Sequence, residues 1–89
     1  NVGSGKVLDV YGASKAFGTK ITQQPANGTR AQKWLIAPDT DDFDRLIIGS
    51  SLALVSVLDV EGGRNADGTP LQIYGYNGSK AQEFRFIKQ

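Results

Sequence analysis

The chain has 89 residues, a net charge of +1 and 39% apolar residues, which bounds it to one small soluble-type domain with no charge bias toward nucleic acid or an anionic membrane. Histidine and cysteine are both absent, which removes the commonest metal ligand and general base, any disulfide framework and any thiol nucleophile. No signal-like leader or bilayer-length apolar run is present, and eleven glycines with three prolines favour a turn-rich β architecture.

In chain order, the first predicted strand centres on Val7-Leu8-Asp9-Val10. Gly12 and Gly18-Thr19 follow as turns, with Ala13 to Phe17 too short for a helix, and Asn27-Gly28 is a third turn ahead of Ala31-Gln32 and Trp34. Pro38 to Asp42 reads as a short acidic connection, and Phe43 to Gly49 as a strand. The same series then recurs. Ser56 to Val60 alternates in side-chain character and reads as a strand, broken by Glu61-Gly62-Gly63. Asp67-Gly68 is a turn, Leu71 to Tyr76 a strand, Asn77-Gly78 a turn and Glu83 to Ile87 a last strand.

Shifting the sequence by fifty positions shows why the series recurs. From Gly5 to Ile36, 12 of 32 positions are identical to their partners without a gap, where ordinary residue frequencies give roughly two. The pairs include Val7–Val10 with Val57–Val60, Gly18-Thr19 with Gly68-Thr69, Asn27-Gly28 with Asn77-Gly78, and Gln32 with Gln82. The chain is read as one partial domain of two repeats, 1–39 and 40–89. About seven strands are expected, since the first repeat lacks a counterpart of Phe43 to Gly49. Trp34 and Phe84 are expected in the core, with Leu8, Val10, Leu58, Val60, Ile36 and Phe86 packed around them.

The ordered set Leu8-Asp9-Val10, Gly18-Thr19, Asn27-Gly28 and Gln32-Lys33-Trp34 resembles the ricin-B-type (QxW) β-trefoil repeat of lectins and family 13 carbohydrate-binding modules. So does its second occurrence, Leu58-Asp59-Val60, Gly68-Thr69, Gln72-Ile73-Tyr74, Asn77-Gly78 and Gln82-Glu83-Phe84. The stretch around Leu71 to Tyr74 also looks like a toxin-associated haemagglutinin repeat. The resemblance implies an all-β trefoil of three units, of which this chain holds about two. Completion is expected from the rest of a longer lectin chain or from another subunit, with assembly of several copies less favoured. It implies a sugar-binding protein with no catalysis, cofactor or metal, and an extracellular setting.

In the resembled family, sugar is gripped by the aspartate after the first strand of a repeat, an aromatic residue fifteen positions on, and polar side chains beyond. Asp59, Tyr74, Asn77 and Gln82 hold those places here, with Gly62 in the turn between. A carboxylate accepts from neighbouring hydroxyls, and a flat ring stacks on the sugar's C–H face. The first repeat keeps Asp9, Asn27 and Gln32 but has Gln24 in the stacking place and Pro25-Ala26 after it, so it is read as a degenerate second site. In both repeats an alanine, Ala31 or Ala81, precedes the QxW glutamine where the family often has asparagine. Structural roles stand beside these. Asp59 can cap the following turn, Asn77-Gly78 can be a turn alone, and Gln32 and Gln82 can tie a strand to the next turn. Asn27-Gly28-Thr29 and Asn77-Gly78-Ser79 also match the glycosylation pattern. The function expected is a carbohydrate-binding module for galactose or a related neutral sugar. The alternative is a sugar-inactive trefoil piece that docks a partner protein.

Overall fold

The computed structural model describes residues 2–39, 42–53 and 55–85. Its described residues form six strands joined by turns and short 3-10 segments: β1 (Val7–Val10), β2 (Ile21–Gln24), β3 (Trp34–Asp39), β4 (Asp42–Ser50), β5 (Ser56–Val60) and β6 (Leu71–Gly75). Strands β1 and β2 make a two-stranded antiparallel ribbon, and β3-β4-β5-β6 make a four-stranded sheet.

Strands β1 and β5, fifty residues apart, each pair in the same register with the strand that follows, and β5 pairs with β4 as well. Val7 to Val10 pair with Gln24 to Ile21, and Val57 to Val60 pair with Tyr74 to Leu71. Each first strand runs into a 3-10 turn, Tyr11–Ala13 or Glu61–Gly63, and each second strand leads to another, Arg30–Gln32 or Lys80–Gln82. The turns after β1 and β5 need left-handed backbone at two consecutive positions: Gly62 and Gly63 have φ of 64° and 63°, while Gly12 and Ala13 have 63° and 53°.

The acidic connection is narrower than the sequence suggests. Strand β3 continues through Pro38, which pairs with Leu46, to Asp39, which pairs with Asp42 across a register shift. Proline is accommodated because β3 is the edge of its sheet. The expected last strand contributes one bridge, Leu46 to Phe84, closed by Leu46 N–H to Phe84 O at 2.6 Å and Phe84 N–H to Leu46 O at 2.9 Å. The rest of that expected strand, with Phe86, lies outside the described residues.

The core is built around Val10, Ala31 and Ile73, with Ile21, Trp34 and Leu52 packed against it. The expected alternation of β5 is replaced by burial of Ser56, Val57, Leu58 and Asp59 alike. Both faces of β5 are occupied: Leu58 stands opposite the buried Ile73 on one, and Asp59 is bonded by Gln72 and Gln82 on the other. Trp34, Val60 and Phe84 are half-buried. Two expected core residues are corrected outright: Leu8 and Ile36 are 43% and 54% exposed. Leu8 pairs with Gln23, a polar residue, and Ile36 lies on the edge strand β3 among Leu35 and other exposed residues. About half of each side chain therefore stays open to solvent.

Candidate functional site

A pocket of about 550 Å³ opens where β5, β6 and the two 3-10 turns of the second repeat converge, lined by Asp59, Gly62, Gly63, Gln72, Tyr74, Asn77, Ser79, Lys80 and Ala81. Four of the five residues expected there, Asp59, Gly62, Tyr74 and Asn77, line it. The fifth does not. Gln82 is completely buried, and its side chain is spent within the protein. Its Nε2 donates to Asp59 Oδ2 at 2.8 Å and to Gly75 O at 2.9 Å, and its Oε1 accepts from Asn77 N–H at 2.9 Å.

Gln82 thereby ties three pocket components together: the carboxylate, the end of β6 and the turn carrying Asn77. Asp59 is only 5% exposed, a costly place for a carboxylate unless it is hydrogen-bonded. Gln72 Nε2 supplies the second bond, to Asp59 Oδ1 at 3.2 Å. Two amide donors thus aim the carboxylate, and each of its oxygens keeps a further lone pair for a hydroxyl. The Asp59 contacts run to Gln72 and Gln82 rather than to the turn Glu61–Gly63, whose preceding residue shows no side-chain cap.

Tyr74 stands on β6 with 42% of its surface exposed. Asn77 serves turn and pocket together. Its Oδ1 accepts from Ser79 N–H at 2.9 Å, which sets the turn, while Gly78 takes φ of 72°. Beyond the expected set, the structure adds Gln72, Gly63, Ser79, Lys80 and Ala81 to the lining. Gln72 was findable: two residues before Tyr74 on a strand, it must share that face.

The first repeat reproduces the underlying bonds. Gln32 Nε2 donates to Asp9 Oδ2 at 2.8 Å and to Pro25 O at 2.9 Å, and Asn27 N–H donates to Gln32 Oε1 at 2.8 Å. Asn27 Oδ1 accepts from Thr29 N–H and Oγ1–H at 3.0 and 2.7 Å. A pocket of about 530 Å³ lies above, with Asp9 and Asn27 on its walls beside Tyr11, Thr22 and Gln24, and Gln32 again beneath. The stacking place holds Gln24, as expected. The ring present is Tyr11, from the 3-10 turn after β1, with Lys20 Nζ 4.4 Å from its centroid. Thr22, the counterpart of Gln72, has a buried hydroxyl with no partner among the described residues.

Among the described residues, no group of three or more Asp or Glu side chains is placed to hold a metal ion, and no helix is long and apolar enough to cross a membrane.

Residues 1–74 match the family model described as ricin-type beta-trefoil lectin domain-like. No protein of curated function matches the sequence significantly. Among solved structures, the chain is similar to ThreeFoil, a designed 3-fold symmetric protein, at 30% identity and TM-score 0.89, covering 97% of this chain and 59% of that one. It is also similar to 1,3Gal43A, an exo-beta-1,3-galactanase from Clostridium thermocellum, at 29% identity and TM-score 0.88, over 96% of this chain and 18% of the enzyme. A mosquitocidal holotoxin shares the fold, at 20% identity and TM-score 0.70, over 86% of this chain and 9% of the toxin. The chain therefore spans about three-fifths of the symmetric protein and much smaller shares of the other two.

Proposed function

The chain belongs to the ricin-type β-trefoil lectin domain-like family, and on that footing we propose that it is a carbohydrate-binding module whose working site is the pocket of the second repeat. The observation that carries this is the Asp59 carboxylate, held from below by Gln72 and Gln82 in a pocket walled by the exposed ring of Tyr74. In this reading the carboxylate accepts from two neighbouring hydroxyls, the ring takes the C–H face of the sugar, and Asn77 closes the rim. Gln82 positions Asp59 and Asn77 without touching sugar.

A galactose-type neutral sugar is the favoured ligand. The similarity to an exo-beta-1,3-galactanase supports that class, and the substrate of that enzyme is a galactan by its name alone. One shallow site of this kind binds at roughly millimolar strength, so useful avidity requires several sites on one assembly. The module binds without catalysing. Residues 1–39 and 40–89 act as two units of one trefoil in an extracellular protein. Further β structure, from the same chain or another subunit, covers the apolar depression lined by Ala37, Pro38, Ile47, Val55, Val57 and Tyr76. That depression also favours the second reading, a trefoil piece whose main task is to dock a protein.

The test is a titration of galactose, N-acetylgalactosamine and xylose into native protein and Asp59→Ala, followed by NMR. The native protein is expected to bind a galactose-type sugar at about millimolar Kd and the variant at least about tenfold more weakly. Equal or absent responses in both proteins would retire the proposal in favour of the docking reading.

A further inference from the structure

The turn at residues 17–19 belongs to the first repeat in sequence, yet it lies against the second. Gly18 N–H donates to Ile73 O at 2.8 Å, Ile73 N–H donates to Thr19 O at 2.9 Å, and Lys20 bridges Gln72. Ile73 is completely buried. Its strand neighbours Gln72 and Tyr74 project to the other face, where they form the β6 side of the pocket. One backbone strap therefore fixes the strand that presents both the residue holding Asp59 and the aromatic wall.

Phe17 extends the strap to a side chain. Its ring centroid is 5.2 Å from that of Tyr74, with the planes tilted by 36°, within the range where aromatic pairs attract. It also lies over Gly75 so closely that a Cβ there would stand 2.9 Å from Phe17 Cζ. Gly75 is not among the glycines with positive φ, so its backbone does not require glycine. The ring does. Phe17 is absent from the pocket lining and belongs to the separate apolar depression with Ala37, Pro38 and Tyr76. It touches the ring without standing where a ligand would.

We propose that Phe17 is a positioning residue for the second repeat's site: a side chain of the first repeat that holds the Tyr74 ring in place through the gap left by Gly75. This rests on the reading of that pocket as a sugar site. A stacking ring on an exposed strand position must give up rotamer freedom when ligand arrives, unless it is already held. Phe17 removes that freedom beforehand. The working site is then a product of two repeats, which no single fifty-residue unit contains.

The experiment compares the native chain with Phe17→Ala, Phe17→Tyr, Gly75→Ala and Tyr74→Ala in the full chain. Sugar Kd is read by NMR titration, and the Tyr74 ring resonances are read without ligand. Phe17→Ala is expected to weaken galactose binding about three- to tenfold, by analogy with the freezing of one side chain, and to shift the Tyr74 ring signals as the neighbouring ring current disappears. Gly75→Ala, which displaces Phe17, should do the same, and Phe17→Tyr should restore both readouts. A residue that only stabilised the fold would lower Tm and leave Kd native, while the ring signals report the Phe17–Tyr74 contact itself. Loss of binding in Tyr74→Ala beside native Kd in Phe17→Ala overturns the positioning role alone. Native Kd in Tyr74→Ala, or no sugar response in any protein, overturns the sugar reading. In that case unchanged Tyr74 ring signals in Phe17→Ala overturn the packing role as well, and shifted signals uphold it.

Discussion

The two repeats carry the same hydrogen-bonded frame and different surfaces upon it. In each, a glutamine amide bonds the strand aspartate, the end of the second strand and the asparagine turn, with matching distances within 0.1 Å: 2.8, 2.9 and 2.8 Å for Gln32 against 2.8, 2.9 and 2.9 Å for Gln82. What differs is the second strand. Thr22-Gln23-Gln24-Pro25 of the first repeat stands where the second has Gln72-Ile73-Tyr74-Gly75. The opposed pair Leu58 and Ile73 is buried, and its counterpart, Leu8 and Gln23, is exposed. The strap at residues 18 and 19 bonds the backbone of Ile73, whereas Gln23 meets a side chain, its Oε1 accepting from Ser4 Oγ–H at 3.1 Å, and stays exposed. The frame comes from the turns, which recur; burial and chemistry come from what crosses the second strand, which does not.

If that division is right, Ile73→Ala should show the largest stability difference between equivalent positions. Truncating a fully buried isoleucine costs about 2–5 kcal/mol, while Gln23→Ala, at an exposed site, should stay within about 0.5 kcal/mol. Urea unfolding of both variants measures the contrast, and equal losses would show the first ribbon to be as well covered as the second. The frame glutamines come next. Gln82→Leu strands a buried carboxylate and two backbone groups, for about 1–3 kcal/mol. Gln32→Leu does the same where Asp9 is only half-buried and solvent takes up part of the loss, so about 1 kcal/mol is expected. The same denaturation assay ranks the pair.

Thr22 sharpens the comparison in the opposite direction. Its hydroxyl is buried without a partner among the described residues, whereas its counterpart Gln72 bonds Asp59. Thr22→Val keeps the shape and removes the unmatched polar atom, so a gain of about 1 kcal/mol is expected. A loss of that size would mean that the hydroxyl has a partner in solution.

These contrasts also mark what the sequence could disclose. Turn positions were legible because Asn-Gly and Gly-Thr need particular backbone angles wherever they occur. Strands β4, β5 and β6 accordingly lie within one residue of their expected limits. The placement of Asp59 and Tyr74 around one pocket followed from repeat spacing in a known family. Leu8 and Ile36 were misjudged because periodicity tells which face a side chain takes and not whether anything covers that face. Phe17 was invisible for a related reason. Its counterpart is Asp67, so the repeat gives no hint of it, and its partners Tyr74 and Gly75 lie more than fifty residues away.

The smallest effect concerns the one place where the recurring turn is itself imperfect. After β5 the chain makes two left-handed steps on Gly62 and Gly63, and after β1 it makes the same two on Gly12 and Ala13, the latter at φ 53°. A Cβ in that region meets the following carbonyl oxygen, at a cost of roughly 1–2 kcal/mol, which glycine escapes. Glycine also has more freedom to lose on folding, which takes back roughly 0.5–1 kcal/mol. Ala13→Gly should therefore stabilise the chain by about 0.5 kcal/mol and Gly63→Ala destabilise it by a similar amount. The Gly63 site has room, since the nearest atom to an added Cβ is Ala81 Cβ at 3.9 Å, an ordinary contact. Backbone strain less the chain-entropy offset thus sets the size of the effect there, with no steric contribution. The two changes made together should nearly cancel in chemical denaturation, because both turns need the same geometry and only the residue supplying it has been exchanged.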